Sequence, residues 1–184
     1  YSELTHKIIE KAKAISPGDP LQYSTAMGAL VSQAHLNKVL HYLEKGIEEG
    51  AKLVTGGPGR PDGINRGFYV KPTVFSNANN DMTIAREEIF GPVLTMIPYD
   101  TEEEAIEIAN DTEYGLAAYV QSSDLDRARK VAARLRAGNI NLNGSGPTPN
   151  VPFGGYKKSG NGREWGAHGF TDYLEIKAVS GYED

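Results

Sequence analysis

The sequence contains no cysteine among its 184 residues. Disulfide bonds and thiolate metal sites are therefore excluded for these residues, and so is a cysteine nucleophile. Basic residues are outnumbered by acidic ones, with 19 Lys and Arg against 24 Asp and Glu, which gives a formal net charge of -5 at pH 7. This balance argues against nucleic acid or an anionic membrane surface as a partner.

Long apolar runs are also missing. No stretch approaches the ~20 residues that a membrane-spanning helix needs, and the first residues do not resemble a signal peptide. We therefore expect a cytoplasmic protein with no membrane partner. The hydrophobic fraction of 39% and the charged fraction of 23% are ordinary for a globular protein. A chain of this length can bury a core of its own, and length favours a single domain.

Apolar spacing and turn residues predict alternating helices and strands. The helices are predicted at 2–15, 32–50 and 101–109, with a helical turn at 82–88 and a last helix that begins at 123 or 124 and is closed by Gly138. The strands are predicted at 51–55, 68–75, 93–97, 116–121 and 139–143. Strand, helix and strand joined by short connections predict right-handed crossovers, and the nearly all-apolar run 93–97 suits a parallel strand buried on both faces. The fold class is therefore α/β, an open, mostly parallel sheet flanked by helices.

Residues 87–93, with the sequence EEIFGPV, predict a sharp corner that leads into a buried strand. Gly91 gives the backbone freedom to turn, and Pro92 fixes φ at the first position of the strand. At such a corner the carboxylate of Glu88 could accept both hydroxyls of a ribose, and the ring of Phe90 could lie against a flat heterocycle. On the residues alone, a solvated acid and a core phenylalanine are the simpler interpretation.

Four segments together resemble the NAD(P)-dependent aldehyde dehydrogenase superfamily. Residues 87–93 are similar to its E-E-[IT]-F-G-P motif, and residues 152–164 (PFGGYKKSGNGRE) are similar to its P-F-G-G-x-K-x-S-G-x-G-R-E segment. Residues 67–74 (GFYVKPTV) and 111–118 (DTEYGLAA) also match in the family's order and spacing. The resemblance covers essentially the whole chain, but it is a resemblance to the C-terminal part of such an enzyme only.

The resemblance implies a parent enzyme that oxidises a small-molecule aldehyde to a carboxylic acid with NAD or NADP. In the family a cysteine thiolate attacks the aldehyde and a glutamate activates water for hydrolysis. This chain has no cysteine and begins at Tyr1 rather than Met. We therefore expect it to be a piece of a longer polypeptide, with the nucleophile, the general base and an N-terminal cofactor-binding domain upstream, and to be inactive alone.

The resemblance also implies specific site residues. It places Glu88 and Phe90 on the nicotinamide riboside of the cofactor, and Lys38 and His35 on its adenosine side. Phe153, together with the turn-rich loop 144–151, is implied to line the aldehyde tunnel, although from its sequence Phe153 could equally be a core aromatic. The loop carries small residues where other members carry aromatic ones, so the size of the aldehyde stays open.

The end of the chain is predicted to serve assembly. Residues 173–179 alternate apolar and polar side chains, as a half-exposed strand does, and the resemblance implies that a comparable tail joins subunits. We therefore assign residues 1–172 to the C-terminal portion of the catalytic domain and residues 173–184 to an oligomerisation strand and tail. The parent is expected to be a homodimer or homotetramer.

Two basic residues flank a glycine-containing turn, Gly160-Asn161-Gly162, that superficially resembles a phosphate-binding loop. No strand leads closely into the turn and no acidic residue follows at the Rossmann distance, so tight turns account for its glycines. Lys157 and Arg163 are then predicted to form structural ion pairs or to contact a partner subunit.

Two other functions stay open. The chain could be a non-catalytic binding or scaffold module of the same fold, in which case the parent would also lack the upstream cysteine. It could instead belong to a CoA-acylating or phosphate-releasing reductase of the same superfamily, which would show no hydrolytic step. The complete motif at residues 87–93 favours the hydrolytic enzymes.

Overall fold

The structure is a computed structural model that describes residues 1–146 and 148–181. The chain forms two compact units, Tyr1–Asp100 and Thr101–Asp184. The described helices are α1 (Ser2–Ala14), α2 (Gln33–Glu48), α3 (Thr83–Arg86), α4 (Glu102–Asn110), α5 (Leu125–Ala132) and α6 (Gly166–Thr171). The described strands are β1 (Lys52–Thr55), β2 (Thr73–Ser76), β3 (Val93–Thr95), β4 (Ala117–Val120) and β5 (Asn139–Leu142). Helices and parallel strands in both units confirm the predicted α/β class. Across the described part of the chain, no helix is both long and apolar enough to cross a membrane.

The first unit is built on a three-stranded sheet in the order β1-β2-β3. β1 runs antiparallel to β2, whereas β2 and β3 are parallel, with Thr73 opposite Val93. The predicted strand 68–75 is shorter than expected, because Pro72 has no N–H to donate and the ladder begins at Thr73. β3 is also not buried on both faces as predicted, since Leu94 is 45% exposed.

Helix α2 packs its apolar stripe against this sheet. Its start was predicted at Ser32, and the Ser32 side chain accepts a hydrogen bond from the His35 N–H at 3.2 Å. Ile47 continues the apolar spacing of this stripe in the sequence, but its side chain is 46% exposed and Gly46 is buried instead. Gly46 faces β2 so closely that an added Cβ would lie 3.0 Å from the ring of Phe75. Because α2 approaches β2 at Gly46, the neighbouring side chain of Ile47 points towards solvent.

The core of the first unit lies between α2 and β2. Phe75, Leu43 and Val39 have no exposed surface, and Val70 is buried beside them. Tyr42 of α2 is also buried. The remaining buried apolar residues of this cluster are Leu36, Ala51, Ala78, Met82, Ile84 and Ile89.

The second unit contains a parallel pair, β4 and β5, joined through α5. Its helix starts were predicted correctly: the side chain of Thr101 caps α4 and that of Asp124 caps α5. Two ion pairs join α4 to α5 and the turn after it, Glu102 with Arg127 and Glu103 with Arg134. The hydrogen bond from Arg134 holds the pKa of the Glu103 carboxyl below its ordinary value.

Lys157 and Arg163 donate hydrogen bonds to backbone carbonyls, and within the described residues neither side chain forms the predicted ion pair. The Lys157 ammonium donates to the carbonyls of Asn110 and Thr112, both at 2.8 Å. The Arg163 guanidinium donates to three carbonyls of the turn, those of residues 155, 161 and 162, at 2.8 to 3.0 Å. The ion pairs were not foreseeable either way, because a charge pattern does not reveal the carbonyl acceptors that the fold brings close. Contact of Lys157 or Arg163 with a partner subunit stays a prediction.

The start of β5 requires glycine at position 138. An added Cβ would lie 1.8 Å from the carbonyl oxygen of Gly154. We expect Gly138→Ala to lower the free energy of unfolding by about 1–3 kcal/mol through overpacking. Gly162→Ala is the matched control, because no atom lies within 4 Å of the Cβ position there. Urea unfolding midpoints of the two variants check this, and equal midpoints would contradict it.

The predicted strand at residues 173–179 does not form within the described chain, which has no ladder partner for it. These residues are exposed, with Tyr173 at 85%, Ile176 at 87% and Val179 at 76%. The physical reason is that an extended segment becomes a strand only when a neighbour accepts and donates its backbone hydrogen bonds. Its role in assembly stays a prediction, and residues 182–184 lie outside the described residues.

Candidate functional site

The corner predicted between α3 and β3 is present, and we use "the corner" for residues 87–92. α3 ends at Arg86, and Glu87 is already extended, with φ -107° and ψ 151°. Ile89 is buried in the core, whereas Glu88 and Phe90 on either side of it are exposed. The corner is thus anchored at its middle residue and presents its two neighbours outwards.

Phe90 is held in an unusual state. Its φ of 60° lies in the left-handed region, which costs a residue with a side chain about 1–2 kcal/mol. Its ring is 72% exposed, so burial of the ring does not offset that cost. Strained backbone that presents an apolar ring to solvent is typical of ligand sites. The interpretation of Phe90 as a core aromatic is therefore wrong.

One face of α2 holds this corner through three side chains. The Nε2 of His35 lies 2.6 Å from the Phe90 carbonyl oxygen, and because a carbonyl only accepts, this nitrogen carries the hydrogen. The Lys38 ammonium donates to the Glu88 carbonyl at 2.8 Å. The Tyr42 hydroxyl donates to the Glu87 carboxylate at 2.7 Å. Positions three and four apart share a helix face, so the spacing of the three residues matches this arrangement.

A glycine lets the helix and the corner touch. The Cβ that Gly91 lacks would lie 2.7 Å from a methyl carbon of Val39, a fully buried residue of α2. Among the described residues, the Glu88 carboxylate has no hydrogen-bond or ion-pair partner. The α2 side chains bind other groups of the corner, so the Glu88 carboxylate is available to a ligand.

An open cleft of about 390 Å³ lies beside the corner. The exposed ring of Phe90, the His35 ring and the Lys38 side chain line it together with two small apolar residues, Val31 and Ala34. The Phe90 and His35 rings are 6.3 Å apart and tilted by 49°. An apolar ring, an imidazole and an ammonium around one cleft can take a flat heterocycle and polar groups together.

Phe153 lies in the second unit. Its backbone pairs with Glu164 in both directions at 2.7 Å, and its ring lies 5.3 Å from that of Trp165. Both aromatic residues line an open cleft of about 890 Å³. Sequence reasoning missed Trp165, although an aromatic residue directly after the glycine-rich segment was a visible signal. Within loop 144–151, Pro147 lies outside the described residues.

Four of the five predicted site residues are therefore brought together in the first unit: His35, Lys38, Glu88 and Phe90. Phe153 belongs to the second unit. Sequence reasoning missed Tyr42 as part of the same site, and it did not foresee the packing of Gly91 against Val39. The spacing of Tyr42 from His35, seven residues along α2, could have indicated a shared helix face.

Comparison with known proteins places the chain in a family. A family model described as the aldehyde dehydrogenase family matches residues 1–179. A 3-succinoylsemialdehyde-pyridine dehydrogenase from Pseudomonas sp. is 54% identical over 181 residues, which is 98% of this chain and 38% of that protein.

Solved structures agree. An aldehyde dehydrogenase C mutant from Pseudomonas syringae, in complex with NAD+ and octanal, has 53% identity and a TM-score of 0.95 over 99% of this chain. An aldehyde dehydrogenase from Mycobacterium tuberculosis, in complex with NAD+, has 44% identity and a TM-score of 0.92 over 100% of this chain. The chain covers 38% of each of these proteins. On these matches the chain belongs to the aldehyde dehydrogenase family.

Proposed function

We propose that this chain is the part of an NAD(P)-dependent aldehyde dehydrogenase that positions cofactor and substrate. The parent protein, meaning the longer polypeptide to which we assign the chain, would oxidise an aldehyde to a carboxylic acid. Relatives that are about 2.6 times as long support the existence of such a parent, since this chain spans 38% of them. The NAD+ complexes of two solved relatives support the cofactor class.

The observation that carries the proposal is the exposed, strained corner. Phe90 stays in the left-handed region with its ring in solvent, and Glu88 beside it has a free carboxylate. These groups fit a nicotinamide riboside: the carboxylate can accept hydrogen bonds from both ribose hydroxyls, and the ring can lie against the nicotinamide. Bound NAD or NADP would supply the hydride acceptor. The residues of this chain would hold and orient it, which is a large part of catalytic rate acceleration.

Phe153 is proposed as an apolar wall for the aldehyde. Its ring is half-buried, lies against Trp165 and faces the open cleft of the second unit. An apolar wall of this kind fits the hydrocarbon part of an aldehyde. The octanal bound to a relative is a molecule of that class.

Assembly through the tail is also proposed. Residues 1–172 are assigned to the catalytic domain and residues 173–184 to a segment that joins subunits of a homodimer or homotetramer. The exposure of Tyr173, Ile176 and Val179 supports this, because three large apolar side chains in one short segment favour coverage by another chain. A cytoplasmic location stays a prediction.

The 184-residue chain alone is expected to show no aldehyde oxidation. The covalent mechanism needs a cysteine thiolate, and these residues contain none. The measurement is NAD(P)H formation at 340 nm with an aliphatic aldehyde and NAD or NADP, run on the chain and on the parent protein. Saturable turnover by the purified chain would contradict the prediction.

The same assay on the parent tests the proposed function. The expected result is saturable turnover whose product is the free carboxylic acid. Turnover that needs coenzyme A or phosphate and yields the acyl thioester or acyl phosphate would contradict the proposal and identify the parent as a reductase of the same superfamily. A parent that has no upstream cysteine and no turnover would identify it as a binding or scaffold module.

A further inference from the structure

Two side chains of α2 hold the backbone of the residues proposed to bind the cofactor. His35 binds the Phe90 carbonyl at 2.6 Å and Lys38 binds the Glu88 carbonyl at 2.8 Å. The resemblance of the chain to the aldehyde dehydrogenase superfamily implied instead that His35 and Lys38 contact the adenosine side of the cofactor. We propose that His35 and Lys38 are positioning residues, which act through the corner on the nicotinamide side. This inference rests on the proposed function and names how its site is held.

The two carbonyls depend on these side chains. No backbone N–H of the described residues donates to the carbonyl of Glu88 or of Phe90. At the two ends of the corner the backbone is tied, since the Glu87 N–H donates to the Thr83 carbonyl at 2.9 Å and the Pro92 carbonyl accepts from Thr73 at 2.9 Å. Between these two hydrogen bonds, the carbonyls of Glu88 and Phe90 are fixed by the side chains of Lys38 and His35.

The strain at Phe90 makes such fixing necessary. A residue with φ of 60° has lower-energy backbone states available to it, and a change of φ would redirect its exposed ring. The His35 hydrogen bond opposes that rotation by holding the Phe90 carbonyl. The contact of Gly91 with Val39 keeps this stretch against α2, so the bond to Phe90 and the bond to Glu88 act on the same short segment.

The two possible roles of His35 and Lys38 differ in the half of the cofactor whose binding a substitution would weaken. A residue that acts through Glu88 and Phe90 affects binding of the nicotinamide ribose, with or without adenosine. A residue that touches the adenine ribose affects only cofactors that contain it. Nicotinamide mononucleotide, which has the first half and lacks adenosine, separates the two roles.

The experiment measures two constants for variants of the parent protein: the dissociation constant of NAD, and the inhibition constant of nicotinamide mononucleotide against NAD. For His35→Ala and Lys38→Ala we expect both constants to rise by about fivefold, the effect of losing one net hydrogen bond. His35→Gln is expected to restore both constants, because its amide N–H can donate to the same carbonyl.

Two substitutions away from the corner serve as matched controls. His6→Ala removes an exposed histidine of α1 whose Nε2 lies 3.5 Å from the Glu10 carboxylate, and Lys45→Ala removes a lysine of α2 that is paired with Glu48. Neither side chain contacts the corner, so both constants are expected to stay unchanged. Thermal unfolding of every variant shows that folding is kept, and the conservative variants His35→Gln and Lys38→Arg replace any alanine variant that does not fold.

Opposite results would overturn the inference. It fails if the alanine variants weaken NAD but leave nicotinamide mononucleotide unchanged, since that pattern means contact with the adenosine side. It also fails if His35→Gln is as impaired as His35→Ala. The proposed function has a separate test in Glu88→Gln: if that variant affects cofactor binding while the α2 variants do not, only the positioning role is lost.

Discussion

Glu88→Gln in the parent protein is expected to lower kcat/KM for the cofactor by about 10- to 100-fold. The substitution keeps the shape of the side chain and removes its charge. A hydrogen bond to a charged acceptor contributes about 1.5–3 kcal/mol, and each 1.4 kcal/mol corresponds to about a tenfold change. A carboxylate that accepts from two ribose hydroxyls therefore accounts for an effect of this size.

The expected change in stability is small, which makes the result interpretable. Glu88 is exposed and its carboxylate has no partner among the described residues, so its loss is expected to change the free energy of unfolding by less than about 0.5 kcal/mol. Glu44→Gln is the control, because Glu44 is an exposed acid on α2 outside the corner. Steady-state kinetics with varied cofactor and a thermal melt of each variant are sufficient. Unchanged cofactor kinetics would remove Glu88 from the site.

Local features of this site were predictable from sequence. Helix starts at Ser32, Thr101 and Asp124 depend on a side chain and the N–H two or three residues later, so a short stretch of sequence contains the information. The corner itself was indicated by Gly91 and Pro92. The resemblance then directed attention to Glu88 and Phe90, which the residues alone did not favour.

Features that depend on packing were not predictable. The left-handed φ of Phe90 and the contacts of His35 and Lys38 with carbonyls arise from the approach of α2 to the corner. The rotation of the α2 stripe towards Gly46 depends on the position of Phe75, which lies 29 residues further along the chain. A strand at residues 173–179 depends on a partner that the described chain does not supply. In each case the deciding contact is distant in sequence, and no alternation or spacing reports it.

The second large effect is expected from the core under the site. Phe75 has no exposed surface and lies in the central strand, opposite Leu53 of β1 and Thr95 of β3. Its backbone carbonyl also accepts from the Met96 N–H at 2.9 Å. Phe75→Ala removes the ring against which Gly46 of α2 packs, and is expected to lower the free energy of unfolding by about 3–5 kcal/mol.

The cavity left by that ring lies between β2 and the helix that carries His35 and Lys38. The substitution is therefore expected to affect both the stability of the fold and the position of the site residues on α2. Phe170→Ala is the control, because it removes a phenylalanine that is 64% exposed and is expected to change stability by less than about 0.5 kcal/mol. Urea unfolding followed by circular dichroism measures both. In the parent protein, Phe75→Ala should also weaken NAD binding at temperatures below its unfolding midpoint, because α2 would no longer be held against the sheet. Equal unfolding midpoints for the two variants would show that α2 and β2 do not share the core described for the first unit.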